Sequence, residues 1–296
     1  MPRLGYLLTA MVTPFDSDLK VDYDRLAALS CRLVDEGSDG LVVGGTTGES
    51  PTLSKDEKLQ MCRVVREAVG SDVIVAAGTG GNDTAASIEL TRAATELGIL
   101  DAVMLVGPYY NKPPQEGFYQ HFKACAAATD LPVILYNVPG RTGKNIEAAT
   151  VLRLAHEVPN IVAVKEASGD LVQVSRICAG APDGFDVYSG ADEFTLPMLA
   201  VGSVGVISVV SHLVGPDMAR MLQAFHTKDT ETAWRLHHRL LDMFEACFLP
   251  SGNPACVKYG LEVLGFPVGG CRLPIVPPSE KDSARIKQVC EDLGLL

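Results

Sequence analysis

Short apolar runs alternate with stretches of helical periodicity along most of the chain. Each run is rich in β-branched residues and almost continuously hydrophobic, which is typical of parallel strands covered on both faces. Eight such runs predict strands, at Tyr6–Val12, Gly40–Val43, Val73–Ala77, Ala102–Val106, Pro132–Tyr136, Ile161–Val164, Asp186–Tyr188 and Gly205–Val209.

A helical pattern follows each predicted strand. These patterns cover Asp22–Glu36, Ser54–Val69, Thr84–Leu97, Gln115–Ala128, Ile146–Glu157, Leu171–Ala179, Glu193–Ala200 and Pro216–Phe225. The second begins with Ser54 and Glu57, the spacing of a capping box. Strict alternation predicts an α/β fold, a (β/α)8 TIM barrel with right-handed crossovers. A doubly wound open sheet is the alternative, but the first strand lacks the glycine-rich turn of that fold.

Three more helical stretches follow the eighth unit, at Glu231–Phe248, Asn253–Leu264 and Ser279–Leu293. No predicted strand lies between these stretches, so they predict a C-terminal helical extension and not a ninth strand–helix unit. We therefore expect a catalytic barrel over residues 1–226 and a C-terminal helical extension over residues 227–296, packed on the barrel.

Composition and charge narrow the class of partner. The chain has 296 residues and a net charge of −11, without a Lys/Arg-rich run, so we expect neither nucleic acid nor a membrane as a partner. The N-terminus lacks a signal-peptide pattern, and no run of about 18 apolar residues occurs. The eight cysteines form no Cys-x-x-Cys pair, which favours a reduced, cytoplasmic location.

Lys165 is the strongest candidate for chemistry. It directly follows the apolar run Ile161–Val164, and lysine is rarely placed in a barrel core unless it is paired or used chemically. Desolvation disfavours the ammonium form, and a nucleophilic lysine needs a pKa lowered from about 10.4 towards ~7. The pattern therefore predicts a Schiff-base lysine, with a structural pair between Lys165 and Glu166 as the alternative.

Polar groups follow other strands at the same predicted end of the barrel. The glycine-rich loop after strand two offers backbone N–H groups and the hydroxyls of Thr46 and Thr47 to an anion. Tyr136 suits proton transfer, and Arg141 suits a carboxylate. The structural alternatives are a tight turn, core packing and a solvated charge, respectively.

Other positions carry weaker signals. Tyr109 and Tyr110 lie together in a proline-braced loop after strand four, an unusual pair that suits a site, with aromatic packing at the barrel rim or at a subunit contact as the alternative. Gly190 would admit the close approach of a ligand, and Ile207 would form an apolar wall. Ordinary packing is the alternative for each of these residues.

Two common chemistries lack their motifs. None of the six histidines has the His-x-x-x-His or Glu-x-x-His spacing of a metal site, so we expect no metal. The chain also lacks the Gly-x-Ser-x-Gly turn of serine hydrolases.

Four motifs together resemble one family. They are Gly45–Ser50, Pro108–Asn111, Tyr136–Thr142 and Val164–Gly169. The chain is similar, from about Leu4 to its C-terminus, to the dihydrodipicolinate synthase family of the pyruvate-dependent N-acetylneuraminate lyase superfamily. The resemblance implies condensation of pyruvate with aspartate 4-semialdehyde, with no cofactor beyond a covalent imine.

The resemblance also implies catalytic roles. Lys165 matches the lysine that forms the imine, and Tyr136 matches the proton donor and acceptor. Thr46 and Tyr110 match the other members of a proton relay, with Tyr110 supplied by a neighbouring subunit. The family pattern therefore implies at least a homodimer and suggests a homotetramer.

Substrate contacts are implied in the same way. Thr47 matches the residue that binds the pyruvate carboxylate, and Ile207 matches a residue that contacts the same pyruvate. Arg141 matches the residue that holds the carboxylate of aspartate 4-semialdehyde. We include Gly190 with them because it leaves room for a ligand.

Two other functions remain open at this stage. One is a class I aldolase for 4-hydroxy-2-oxoglutarate or 2-keto-3-deoxy acids, which shares the lysine and the tyrosine. Arg141 together with Tyr110 favours the synthase. The other is a barrel that only binds or senses a 2-oxo acid, against which Lys165 and Tyr136 count.

The allosteric cleft of the family departs from its pattern here. The matching positions are Ser50, Lys55, Lys58, Asn82, Ala86 and Tyr109. Lysine-inhibited members carry two histidines and a glutamate where this chain has Lys55, Lys58 and Ala86. Because the carboxylate for the effector's ammonium is missing, we expect weak or absent feedback by L-lysine.

Overall fold

A computed structural model describes residues 4–296 of the chain. Eight parallel strands, each hydrogen-bonded to its neighbours in chain order, form a closed barrel, as predicted. The strands are β1 Leu7–Ala10, β2 Gly40–Val43, β3 Ile74–Gly78, β4 Ala102–Val106, β5 Val133–Asn137, β6 Ile161–Glu166, β7 Asp186–Ser189 and β8 Gly205–Ser208.

Helices connect the strands and continue beyond the last one. They are α1 Tyr23–Asp35, α2 Lys55–Val69, α3 Thr84–Thr95, α4 Gln115–Ala126, α5 Pro139–Thr142, α6 Ala148–Glu157, α7 Leu171–Gly180, α8 Thr195–Ala200, α9 Ser211–His226, α10 Thr230–Ala246, α11 Ala255–Val263 and α12 Glu280–Asp292. Short 3₁₀ turns occupy Ser50–Thr52 and Asp192–Phe194. Across residues 4–296, no helix has both the length and the apolar character needed to cross a bilayer.

The predicted capping box at the start of α2 is confirmed. Ser54 Oγ accepts a hydrogen bond from the Glu57 backbone N–H at 3.2 Å, and the Glu57 carboxylate accepts one from the Ser54 N–H at 2.8 Å. These bonds satisfy two of the N–H groups that a helix start leaves free.

The C-terminal helices bury their apolar faces in the same core as the barrel. Leu240 and Phe244 of α10, Val257 of α11 and Val289 of α12 are all fully buried in one cluster with barrel residues such as Leu41. A boundary at residues 226 and 227 stays a proposal, and it coincides with the end of α9. The shared core fixes the extension relative to the mouth of the barrel.

A bulge in β6 determines which side chains enter the barrel. Val133 pairs with Ile161 and Ile134 pairs with Ala163, so β6 has one residue more than β5 at this point. Consequently Val162 and Ala163 both belong to the interior cluster. Alternation resumes after the bulge, so Lys165 faces inward.

Several element boundaries differ from the sequence prediction. Strand β6 extends through Lys165 and Glu166, because the adjacent strands pair with both residues. Helix α9 begins at Ser211 and is kinked at Val214, two residues before Pro216, whose ring cannot continue a regular helix. The loop expected around Arg141 is the helical turn α5, which Pro139 begins.

Candidate active site

The carboxyl end of the barrel contains a cavity of about 190 Å³. Its lining comes from the carboxyl ends of five strands, β2 and β5 to β8, with the loops that follow them, and from the C-terminal extension. The lining residues are Thr46, Thr47, Tyr136, Val138, Arg141, Lys165, Ala167, Gly190, Ala191, Glu193, Val209, Phe248 and Asn253. The structure thus brings together six of the eight residues predicted for catalysis and substrate binding.

Lys165 and Tyr136 are neighbours because β5 and β6 place them in register. Tyr136 pairs with Lys165, which in turn pairs with Tyr188 on β7. Lys165 is only 3% exposed, and its Nζ lies 4.5 Å from the centre of the Tyr136 ring. A buried amine and a buried phenol therefore face the same small cavity.

Burial lowers the pKa of Lys165 to about 8. Desolvation is the main cause, the Arg141 charge acts in the same direction, and the carboxylate of Asp192 opposes both. At a pKa near 8, roughly a tenth of the amine is uncharged at pH 7, far more than for an ordinary lysine. Only that form can attack a carbonyl carbon.

A structural pair between Lys165 and Glu166 does not form. The Glu166 carboxylate accepts hydrogen bonds from Asn137 Nδ2 at 2.9 Å, from the Ser168 N–H at 2.7 Å and from Gln173 Nε2 at 2.9 Å. Since consecutive residues of a strand point to opposite faces, Glu166 faces the surrounding helices while Lys165 faces the cavity.

Asp192 is a buried residue near Lys165 that the sequence did not single out. Its carboxylate accepts hydrogen bonds from Ser208 Oγ at 2.5 Å and from the N–H groups of Val209 and Val210 at 2.9 and 3.2 Å. Desolvation raises the pKa of Asp192. The sequence signal that could have identified it is a carboxylate in the loop after β7, two residues after Gly190.

Burial also raises the pKa of Tyr136, to about 12, while Arg141 has a smaller effect in the opposite direction. The phenol is therefore protonated at neutral pH and suited to donate a proton into the cavity. Its phenolate is accessible only transiently, when a neighbouring group takes the proton.

The loop after β2 presents the two predicted threonines to the cavity. Thr47 is buried, and its Oγ1 accepts a hydrogen bond from Asn253 Nδ2 at 2.9 Å. With that position filled, the Thr47 hydroxyl proton is free to bind an anion. Thr13 Oγ1 donates to the Gly48 carbonyl at 2.6 Å and holds the far end of the loop.

Gly190 makes room for the lysine itself. A Cβ added to Gly190 would lie 2.9 Å from Lys165 Cγ and 2.8 Å from Ala167 Cβ. These separations are shorter than non-bonded carbon atoms allow, so any side chain here would displace Lys165. The sequence predicted that a ligand approaches Gly190 closely, and in the structure the Lys165 side chain of the same chain does so.

Arg141 lies on α5 at the rim of the cavity. It is exposed, and its Nη2 lies 3.4 Å from the Asn253 carbonyl oxygen. Ile207, in contrast, is 1% exposed inside the barrel, and Val209 is the β8-side residue that lines the cavity. Ile207 packs in the same interior cluster as Tyr136 and is not among the lining residues of the cavity.

A second cavity of about 180 Å³ lies beside the first and shares Thr46, Tyr136, Val138 and Arg141 with it. Ser50 and Tyr109 are part of its wall. Tyr110 is 88% exposed, has φ +70°, and is absent from the described walls of both cavities. Its side chain is therefore available to another molecule.

The remaining cleft positions lie on α2, on α3 and in the loop before α3. Lys55 forms a 2.6 Å ion pair with Glu89, and burial lowers the pKa of Lys58. The Asn82 carbonyl accepts a hydrogen bond from Asn111 Nδ2 at 2.8 Å. Ala86 lies in the first turn of α3 and offers only a methyl group.

Asn253 and Phe248 bring the C-terminal extension into the site, and sequence reasoning missed both. They lie at the end of α10 and just before α11, more than 80 residues after Lys165. They match no local pattern. Within the described residues, no cluster of three or more His, Cys, Asp or Glu has the arrangement needed to hold a metal ion.

Comparisons with known proteins agree over the whole chain. Residues 3–293 match the model of the dihydrodipicolinate synthetase family. A 4-hydroxy-tetrahydrodipicolinate synthase of Moorella thermoacetica is 56% identical over 292 residues, 99% of both chains, and one of Heliobacterium modesticaldum is 54% identical over 293 residues, 99% of this chain and 97% of its own. The crystal structure of DHDPS from Cyanidioschyzon merolae with lysine bound superimposes with a TM-score of 0.97 at 45% identity, covering 100% of both chains.

Proposed function

This chain belongs to the dihydrodipicolinate synthetase family, and we propose on that premise that it condenses pyruvate with L-aspartate 4-semialdehyde. The product is 4-hydroxy-tetrahydrodipicolinate, a precursor in lysine and diaminopimelate biosynthesis. The enzyme is a lyase of the Schiff-base type. Aldolase and sensor functions are set aside because full-length relatives at 50–56% identity are named for the synthase reaction.

The observation that carries the proposal is the state of Lys165. Its amine is buried at the carboxyl end of the barrel, its pKa is lowered to about 8, and it faces a cavity shared with a protonated phenol. These are the properties that a nucleophilic amine needs. An exposed lysine with an ordinary pKa would be almost fully protonated at neutral pH.

The reaction begins when Lys165 Nζ attacks the ketone carbon of pyruvate. Loss of water from the addition product gives an imine, which acts as an electron sink for the adjacent methyl group. A methyl proton leaves, and the resulting enamine carbon forms a bond to the aldehyde carbon of the second substrate. The amine of that substrate then attacks the imine carbon, closes the ring and releases Lys165.

Tyr136 transfers protons in these steps, and Thr46 and Tyr110 complete the relay. Because Tyr110 is exposed and lies outside the described walls of its own cavity, we assign it to the site of a neighbouring subunit, and the active unit is then at least a homodimer. Assembly of two dimers into a homotetramer is the arrangement that we propose.

Substrate carboxylates are held by three groups in this proposal. The Thr47 hydroxyl and the backbone of its loop bind the carboxylate of pyruvate, while Ile207 and Gly190 delimit the space around it. Arg141 binds the carboxylate of aspartate 4-semialdehyde, for which its fork of donors is suited. No cofactor or metal takes part, since the imine itself stabilises the carbanion. We place the reaction in the cytoplasm.

Feedback by L-lysine is weak or absent in this proposal. Ala86 provides no carboxylate for the effector's ammonium, and Lys55 and Lys58 add positive charge to the same cleft. We expect less than half inhibition at 1 mM lysine, about the range where affinities become weak. A coupled assay with increasing lysine checks this, and strong inhibition below that concentration would contradict it.

Trapping with borohydride tests the function. Reduction in the presence of pyruvate should attach a pyruvate-derived group to the Lys165 peptide in mass spectra, and Lys165→Met should abolish the adduct. The same enzyme should then turn over aspartate 4-semialdehyde faster than glyoxylate or glyceraldehyde. Absence of the adduct would refute the imine mechanism, whereas an adduct with faster turnover of the other aldehydes would indicate an aldolase.

A further inference from the structure

The loop that carries Thr46 and Thr47 is tied to the C-terminal extension on the side away from the cavity. Glu49 turns its side chain in this direction and is 1% exposed. Its Oε1 lies 2.7 Å from Nζ of Lys258 on α11. Its other oxygen accepts a hydrogen bond from the Arg272 backbone N–H at 2.8 Å. A single carboxylate thus joins the loop to two parts of the extension.

Lys258 is as deeply buried as its partner. It is 4% exposed, donates a hydrogen bond to the Gly270 carbonyl at 2.6 Å, and lies 4.2 Å above the centre of the Phe15 ring. Removing two charges from water is unfavourable, and a buried pair often stabilises a fold no better than apolar residues of the same size. Global stability is therefore a weak explanation for the presence of this pair.

The backbone of the loop supplies a second reason. Glu49 has φ +60°, in the left-handed region that residues with a Cβ seldom adopt. Its N–H donates to the carbonyl of Thr46 at 3.0 Å, so the strained residue closes a tight turn around Thr46 and Thr47. Such a conformation persists only where its surroundings impose it.

Neither Glu49 nor Lys258 belongs to the described walls of the two cavities, so neither touches substrate in the proposed reaction. We infer that Glu49 and Lys258 are a positioning pair. Their buried contact holds the threonine loop in its strained turn and thereby sets the place where the pyruvate carboxylate binds. The inference rests on the proposed function, since it assigns the loop to pyruvate.

Three variants test this inference: Lys258→Met, Glu49→Gln and the double variant. Each single change leaves one buried charge or polar group without its partner, so we expect lower Tm values. The double variant removes both charges and should recover most of the Tm. If the pair positions the loop, the KM for pyruvate rises about tenfold in all three, including the double variant. The KM for the semialdehyde changes much less.

A matched control separates positioning from stability. Arg66, in the last turn of α2, forms an ion pair with Asp101, which directly precedes β4 at the opposite end of the barrel. Arg66→Met should lower the Tm and leave the KM for pyruvate unchanged. A double variant with recovered Tm and ordinary KM would overturn the inference, as would an equal rise in KM in the control. The wild-type borohydride adduct, measured in parallel, reports separately on the proposed function.

Discussion

At the residue scale, the lysine side chain is closely packed against Gly190. Lys165 reaches the cavity along the space that Gly190 leaves open, and its amine meets no solvent on the way. Desolvation lowers the pKa, so the same packing that fixes the position of the amine also sets its reactivity. The position of the Lys165 amine and its lowered pKa therefore both depend on the absence of a Cβ at Gly190.

Gly190→Ala should disable the enzyme while leaving it folded. The added Cβ needs the space of Lys165 Cγ, and a shift of about 1 Å in a reacting group reduces turnover roughly a hundredfold. The rate of pyruvate trapping and kcat should fall together, with a small change in Tm. Gly81→Ala is the control, because its added Cβ would meet only Ser87 Oγ at an ordinary 3.6 Å. Normal trapping by Gly190→Ala would contradict the packing argument.

At the element scale, some features are set by local hydrogen bonds within one segment, and others are set by pairing between neighbouring strands. The capping box of α2 is encoded by residues 54 and 57 alone, so sequence reasoning located it correctly. The bulge in β6 requires the neighbouring strand, because only pairing with β5 reveals that Val162 and Ala163 face the same side. Strict alternation from Ile161 would turn Lys165 outward.

Ser54→Ala tests the local contribution. Removing the capping hydroxyl leaves the Glu57 N–H without its partner and should lower the free energy of unfolding by about 1 kcal/mol. Urea denaturation followed by circular dichroism gives this value. Ser71→Ala, at an exposed turn, is the control and should change the stability by less than roughly 0.5 kcal/mol. Equal effects of the two substitutions would show that the cap contributes nothing.

At the scale of the whole molecule, the barrel closes where β8 meets β1. His212 bridges this closure, because its Nε2 accepts from the Val12 N–H at 3.1 Å and its Nδ1–H donates to the Val209 carbonyl at 2.7 Å. Burial lowers the pKa of His212 to about 4. The ring is therefore neutral in the folded state at neutral pH.

Acid should weaken the fold through this histidine. Its pKa of about 4 lies below the 6.5 of an unfolded chain, so the unfolded state binds more protons between these values. The neutral His212 ring contributes its full share to the free energy of unfolding above pH 6.5, and about 3 kcal/mol of that share is lost by pH 4. His212→Gln should flatten the fall in unfolding free energy, measured by denaturation between pH 7 and 4. In contrast, substituting the exposed His156 should leave the slope unchanged, and identical slopes for all three proteins would refute the assignment.

Subunit exchange tests whether Tyr110 acts across an interface. Lys165→Ala and Tyr110→Ala should each be nearly inactive alone. Mixed and reassembled, they form hybrids in which a Tyr110→Ala subunit keeps its lysine and receives tyrosine from its neighbour. Random pairing of two chains in a symmetric dimer should restore about a quarter of the sites. No recovery, with exchange verified by mass spectrometry, would place the relay within one chain.

The sequence by itself determined the order and number of the barrel elements, the α2 cap and most of the site. These features follow from local periodicity, and in a parallel barrel the residues after each strand meet at one end, which assembles Thr47, Tyr136, Arg141 and Lys165. Only the tertiary structure decided the inward direction of Lys165 and the contributions of Asn253 and Lys258. They depend on strand register and on packing between segments far apart in the chain, and a local pattern carries no information about either.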